Sequence, residues 1–116
     1  MLPRETRQLV EKAGQEVVVL TSSATVTSYS LEPFERVVRC YTDGSNALAI
    51  VLPPASECPG VIFDITHVVR DTVNVTICLH NTPTTPITGG TLNADGEYAV
   101  LQSNGFEYRL LAGDGS

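Results

Sequence analysis

From Glu16 onward the chain alternates apolar and polar positions in the way pleated strands do. Val17-Val18-Val19-Leu20 and Ala24-Thr25-Val26-Thr27-Ser28-Tyr29, parted by the polar Thr21-Ser22-Ser23, predict two strands or one bent strand. Leu31 to Phe34 carries Pro33 and reads as a corner, and Arg36 to Tyr41 is the next strand. Asp43-Gly44 is a hairpin signal, because glycine tolerates positive φ and aspartate caps its own turn. In Ala47 to Leu52, the residues Leu48, Ile50 and Leu52 share one face, while Ala47, Ala49 and Val51 share the other. Both faces are apolar, which predicts a central strand or one that packs against another subunit.

Pro53-Pro54 removes two backbone donors and stops that ladder, and a corner bearing Cys58 and Pro59 ends at Gly60. Val61 to Val69 alternates with Val61, Phe63, Ile65 and Val69 toward the core. After a polar Arg70-Asp71 break, Val73, Val75, Ile77 and Leu79 alternate in turn, and the two runs read as a hairpin with one wet face. Asn81 to Gly90, with Pro83, Pro86 and Gly89-Gly90 among threonines, reads as a long surface loop of the kind that makes contacts. Glu97 to Gln102, the Asn104-Gly105 turn and Phe106 to Leu111 form a closing hairpin with Phe106, Tyr108 and Leu110 on a common face. Ala112 to Ser116 reads as a small polar tail.

Only Met1 to Gly14 carries helix signals: Pro3 suits a first turn, Gly14 suits a stop, and Leu2, Leu9, Val10 and Ala13 make a thin apolar stripe. The segment is expected to be a short helix leaning on the sheet or an arm that orders against a neighbour. No internal repeat is evident. The whole therefore predicts an all-β protein, a small antiparallel β-sandwich or flattened barrel, with an N-terminal arm or short helix over residues 1–15 and a single β domain over residues 16–116.

Composition narrows the partners. At 116 residues with no Trp and only 6% aromatics, the core must come from Val, Ile, Leu and Ala, and a docking partner or oligomer would add stability to a domain of this size. The net charge of −6, with no basic cluster, sets the wrong field for a phosphate backbone or an anionic membrane. Neither nucleic acid nor membrane is expected as a partner. Cys40, Cys58 and Cys78 are an odd set without CxxC spacing, so a disulfide framework or zinc finger is not expected and the thiols should be reduced and partly buried. The N-terminus lacks the pattern of a signal peptide, so Asn74-Val75-Thr76 is expected to be an accidental glycosylation match.

Candidate chemistry is thin. Cys78 and His80 fall on one face of one strand, but two ligands do not make a metal site, and His67 would have to leave its strand's apolar register to add a third. Cys58 in its proline-flanked corner could expose a thiolate, yet no orienting base or oxyanion pattern accompanies it, and a packing cysteine is the simpler reading. GxSxG is absent, and Gly113-Asp114-Gly115-Ser116 has neither phosphate-loop nor calcium-loop context. Glu32 with Glu35, and Asp95 with Glu97, flank turns where solvated carboxylates ordinarily sit; Tyr29 and Tyr41 are the candidates for sugar stacking and read as half-buried. No enzyme activity, cofactor or metal is expected.

Leu52-Pro53-Pro54, Gly60-Val61-Ile62-Phe63-Asp64-Ile65 and Leu101-Gln102-Ser103-Asn104-Gly105-Phe106-Glu107-Tyr108 together resemble small β-sandwich domains of tailed-bacteriophage virion proteins. In such domains a strand ending in Leu-Pro is followed by a Gly-x-x-aromatic-x-Ile strand and later by a Leu-x-Ser-Asp/Asn-Gly hairpin ending in an aromatic. Phe106 directly after the hairpin glycine and the Cys58 corner depart from that pattern, and Met1 to Leu31 has no counterpart in it. The resemblance implies a structural role in a virion, as a head decoration (cement), head-fibre or tail-fibre protein, commonly a homotrimer, with no catalytic residues to carry over.

The expectation is a capsid decoration protein that is made in the host cytoplasm, sits on the outer surface of the capsid, and staples the major capsid protein or another virion protein. A tail-fibre, baseplate or head-fibre module that binds a host surface through the Asn81 to Gly90 loop is the alternative, against which the lack of a heptad segment or shaft speaks. The residues expected to meet a partner are Leu2, Arg4, Arg7, Leu9 and Val10 of the arm, Ala47, Ala49 and Val51 of the two-faced strand, and Thr82, Pro83, Thr84, Thr85 and Pro86 of the loop.

Overall fold

A computed structural model of the protein describes residues 17–69 and 73–116. The expected arm over residues 1–15, with Leu2, Arg4, Arg7, Leu9 and Val10, lies outside the described residues, as does the Arg70-Asp71 break. The strands are β1 (Val17–Thr21), β2 (Ser28–Ser30), β3 (Val37–Tyr41), β4 (Leu48–Val51), β5 (Ile62–Val69), β6 (Val75–Leu79), β7 (Thr82–Leu92), β8 (Glu97–Ser103) and β9 (Tyr108–Gly113), with one 3-10 turn at Ala55–Glu57. They form a five-stranded sheet in the order β1-β3-β5-β8-β9 and a four-stranded sheet in the order β2-β4-β6-β7. The fold is all-β and sandwich-like, and the sheets do not close into a barrel.

The antiparallel expectation is corrected: both sheets are mixed. β1, β3 and β5 run parallel, as do β2, β4 and β6, and only β5–β8, β8–β9 and β6–β7 are antiparallel. Up to β6, successive strands therefore alternate between sheets. The chain coils: Val17 lies opposite Val37 and Val37 opposite Asp64, offsets of 20 and 27 residues, while Ser28 lies opposite Ala49 and Ala49 opposite Thr76. The longer second offset reflects the 52–61 corner, against the six-residue connections 22–27, 31–36 and 42–47.

Asp43-Gly44 makes the turn its residues predict, but the turn joins two sheets and is no hairpin. Gly44 has φ 90°, and Asp43 Oδ1 accepts hydrogen bonds from the amides of Ser45 (3.0 Å) and Asn46 (2.9 Å). The preceding arch stacks on it, since the buried Ser22 accepts the Asp43 amide on Oγ at 3.1 Å and donates its own amide to the Tyr41 carbonyl at 3.0 Å. The expected β5–β6 hairpin is corrected in the same way, because the two strands belong to different sheets.

Inward-facing rows fill the space between the sheets: Val38 and Cys40, Leu48, Ile50 and Leu52, Phe63 and Ile65, Val75 and Ile77, Leu92, and Ala99 with Leu101, all buried. Burial pushes the Cys40 thiol up to about 12. His67 continues the Phe63–Ile65 row and is fully buried. Its Nδ1 donates to the Leu92 carbonyl at 2.9 Å, and its Nε2 lies 3.2 Å from the Thr42 hydroxyl, so a polar ring is satisfied between β5, the β3–β4 arch and the end of β7. Val69, expected in the core, is exposed, because the β3–β5 register slips between Cys40 and Tyr41.

Residues 82–92, expected as a loop, form edge strand β7, which tolerates Pro83 and Pro86 because its outer amides need no ladder partner. The register with β6 shifts twice, and Gly89 at φ 77° lies within this irregular stretch. The C-terminal residues are no free tail. β9 extends to Gly113, and Ser116 and Thr91 exchange backbone hydrogen bonds at 2.8 and 3.0 Å, so the chain crosses from one sheet and fastens to the other. Gly115 is required there, since a Cβ would come within 2.7 Å of the Gly89 carbonyl and 2.8 Å of Leu92 Cδ2.

Candidate functional site

Three surfaces stand out, and each follows from how the strands alternate. The first is a groove of about 700 Å³ over the outer face of the four-stranded sheet. Its floor is built from small side chains pointing away from the core: Ser28 and Ser30 of β2, Ala49 and Val51 of β4, Thr76 and Cys78 of β6. Pro83 and Thr84 of β7 and His80 form one wall, and Pro53, Pro54, Glu32 and Glu57 close an end.

Of the expected contact residues, the structure brings Ala49, Val51, Pro83 and Thr84 together in this groove. Ala47, Thr82, Thr85 and Pro86 are exposed but do not line it. The two-faced strand has the expected inner face in Leu48, Ile50 and Leu52, while on its outer face Val51 is already buried. Cys78 and His80 do share the groove; among the described residues, however, no three His, Cys, Asp or Glu side chains gather as a metal site would need.

The other candidate groups are committed to structure. Glu35 accepts the Tyr29 hydroxyl at 2.7 Å and the Glu32 amide at 2.9 Å, and this carboxylate raises the tyrosine's pKa. Glu97 accepts the Asn93 amide at 2.6 Å. Cys58 is buried, with Sγ 3.2 Å from the Tyr108 hydroxyl. That hydroxyl donates to the Pro53 carbonyl at 2.5 Å, so its proton is spoken for and the thiol lies where it can donate in turn, to Tyr108 Oη or to the Pro54 carbonyl at 3.6 Å. Desolvation, then the thiol, raises the Tyr108 pKa well above its ordinary value. Ser103 ties the same corner from the hairpin side, donating its hydroxyl to the Ala55 carbonyl at 2.7 Å and accepting the Gly60 amide on its own carbonyl at 2.7 Å.

This fastening holds the second surface in place. The Asn104 side chain accepts the amides of Phe106 and Glu107, both at 2.9 Å, and so clamps a hairpin tip that leaves Phe106 92% exposed. Beside it a cleft of about 470 Å³ opens between the sheets, at the seam of edge strands β7 and β9. Leu79, Ile87, Leu110 and Tyr108 line it, it reaches the buried Leu101, and His80, Asn81 and Glu107 supply its polar rim. The expected common face of Phe106, Tyr108 and Leu110 is thus present as a cleft wall, although only Tyr108 is half-buried.

The third surface is the outer face of the five-stranded sheet. The register sets Val17, Val37, Asp64, Val100 and Ala112 in one row and Val19, Arg39, Thr66 and Tyr98 in the next. Val17, Val19, Ile62, Val69 and Tyr98 are all exposed, at 53%, 62%, 43%, 48% and 37%. Within these rows Arg39 and Asp64 lie 3.7 Å apart and are both partly exposed, so a hydrated ion pair stands among the apolar side chains of this face.

Sequence reasoning misses the cleft and the outer valine face, because both depend on which strands become neighbours. The signal that could have found the cleft is Phe106 itself, an aromatic placed directly after a turn glycine where solvent exposure is the rule. Neither a family model, nor a curated protein, nor a solved structure matches this chain.

Proposed function

We propose that the chain is a non-enzymatic structural protein of a larger particle, and specifically a capsid decoration protein that docks on the outer shell of a bacteriophage head and staples neighbouring capsid subunits. The observation that carries this reading is the exposed outer face of the five-stranded sheet. Val17 and Val19 on edge strand β1, and Ile62 and Val69 at the two ends of β5, leave four branched apolar side chains exposed on one sheet face, and clustered exposed apolar residues mark contact surfaces. The specific assignment to a virion rests on the sequence pattern from Leu52 to Tyr108, and the net charge of −6 would direct the domain toward a basic patch of a protein partner.

The test is binding of the purified protein to expanded empty shells. The expected result is saturable binding and a higher melting temperature of the decorated shell, both lost in a Val17→Asp, Val19→Asp variant that keeps the native circular dichroism spectrum. Failure of the native protein to bind, with undecorated shells equally heat-stable, would remove the reading.

A second reading is favoured by the groove on the other sheet, where Ser28, Ser30, Thr76 and Thr84 offer hydroxyls and Glu32 and Glu57 offer carboxylates, groups that pair with sugar hydroxyls. It makes the chain a host-surface-binding module of a fibre or baseplate. Glycan-array binding that disappears on replacing Thr82 to Pro86 would favour it over shell docking.

A further inference from the structure

We infer that the cleft between β7 and β9 is a binding site for a small organic ammonium compound, one with an apolar body and a single cationic head. The inference rests on neither reading above. The cleft includes none of the exposed valines of the five-stranded sheet, and it shares one lining residue, His80, with the groove on the other sheet.

The apolar body follows from the lining. Leu79 of β6, Ile87 of β7 and Leu110 of β9 stand around an opening that reaches the buried Leu101. Its volume of about 470 Å³ falls within the range of small-molecule sites, roughly 300 to 1,000 Å³. An apolar body that fills this space removes its own surface and the cleft wall from water together. The Tyr108 ring stands edge-on to Phe63, with centroids 6.1 Å apart, and its hydroxyl is already given to the Pro53 carbonyl. It therefore offers a ligand its ring and not its proton.

Charge selects the head. No lysine or arginine lines the cleft, whereas Glu107 stands at its rim and, among the described residues, has no ion-pair partner. Arg109 does not offset it there, because alternation along β9 places that side chain on the face opposite to Tyr108 and Leu110. An anionic head would meet like charge in a chain of net charge −6. An ammonium head would meet the Glu107 carboxylate together with two aromatic rings that also line the cleft, Phe106 and Tyr108. Phe106 is almost fully exposed, and the Asn104 side chain holds its backbone, so its ring is offered from a fixed position and the ordering cost of binding is lowered.

Methyl-resolved NMR titration of the full chain with phenylbutylamine, phenylbutanol and phenylbutyrate tests the inference, since the three share one apolar body and differ in the charge of the head. The amine is expected to shift the methyl signals of Leu79, Ile87 and Leu110 saturably and to bind about three- to tenfold more tightly than the alcohol, with the carboxylate weakest. Glu107→Gln and Phe106→Ser should each lower the amine's affinity more than the alcohol's; both residues are exposed, so neither change disturbs the core. Equal affinity for the three heads, a preference for the carboxylate, or shifts spread over the surface instead of gathered at these methyls overturns the inference, as does the absence of saturable binding by all three. Cleft methyl signals that move with protein concentration alone would assign the cleft to a second copy of the chain and overturn it as well.

Discussion

The seam between the two sheets on the β7–β9 side is sealed at one end and open at the other. At the sealed end Ser116 and Thr91 exchange backbone hydrogen bonds, and Gly115 lies so close to Gly89 and Leu92 that no side chain fits between them. At the open end the same two strands diverge over Ile87 and Leu110, and an apolar cleft reaches down to Leu101. The difference lies in the backbone. Where main-chain groups pair across the seam, apolar atoms are excluded from water; where they do not, side chains alone face one another across a gap.

The sealed end is most vulnerable from beneath. Leu92→Ala removes a fully buried side chain under Gly115 and is expected to cost about 2 to 5 kcal/mol in urea unfolding. Gly115→Ala should force the crossing segment away from Gly89 and Leu92 at about 1 to 3 kcal/mol, with faster amide exchange at Thr91 as the local readout. At the open end, Tyr108→Phe strips the Pro53 carbonyl of its donor and should cost about 1 to 2 kcal/mol.

The tyrosine also gives a pH signature. Its folded pKa is raised, so its contribution is complete below the ordinary tyrosine value near 10 and is lost as pH climbs toward the folded value; the native protein should weaken through this alkaline range, and Tyr108→Phe should remove that part of the slope. Phe106→Ser is the smallest effect on stability, within about 0.5 kcal/mol, because the ring is exposed and its turn is held by Asn104. A large loss of stability in that variant would mean that the open end is closed within one copy.

Much of the core is legible from alternation alone. Leu48, Ile50 and Leu52, Phe63 and Ile65, and Val75 and Ile77 fall inward as period-two reading requires, and the β8–β9 hairpin follows from Asn104-Gly105. What alternation leaves open is the identity of the neighbouring strand. The Asp43 side chain caps Ser45 and Asn46 equally well in a hairpin or in an arch between sheets, so the parallel order of β1 to β6 is a tertiary property with no local signature. His67 holds the inward parity of Phe63 and Ile65, as its place in the apolar register implies; what alternation leaves open is its partners, the Thr42 hydroxyl and the Leu92 carbonyl. The Thr82–Pro86 run reads as a loop because proline cannot donate to a ladder, a rule that relaxes on an outer edge. In the candidate groove, Ala49 and Val51 are recognisable as a second apolar face, whereas Ser28, Ser30 and Thr76 are ordinary polar strand residues until three parallel strands align them.

The coiled order of the first strands also dictates when they form. Two residues join β6 to β7 and four join β8 to β9, so these hairpins carry the least loop-closure cost and are expected to form first. Each parallel contact must instead close a loop of 20 to 27 residues onto a surface that already exists. The edge strands β1 and β2 are held by such long closures alone, and they are expected to form last. Assembly from the C-terminal hairpins backwards is the order this predicts, and hydrogen exchange on the folded protein should show β1 and β2 opening first.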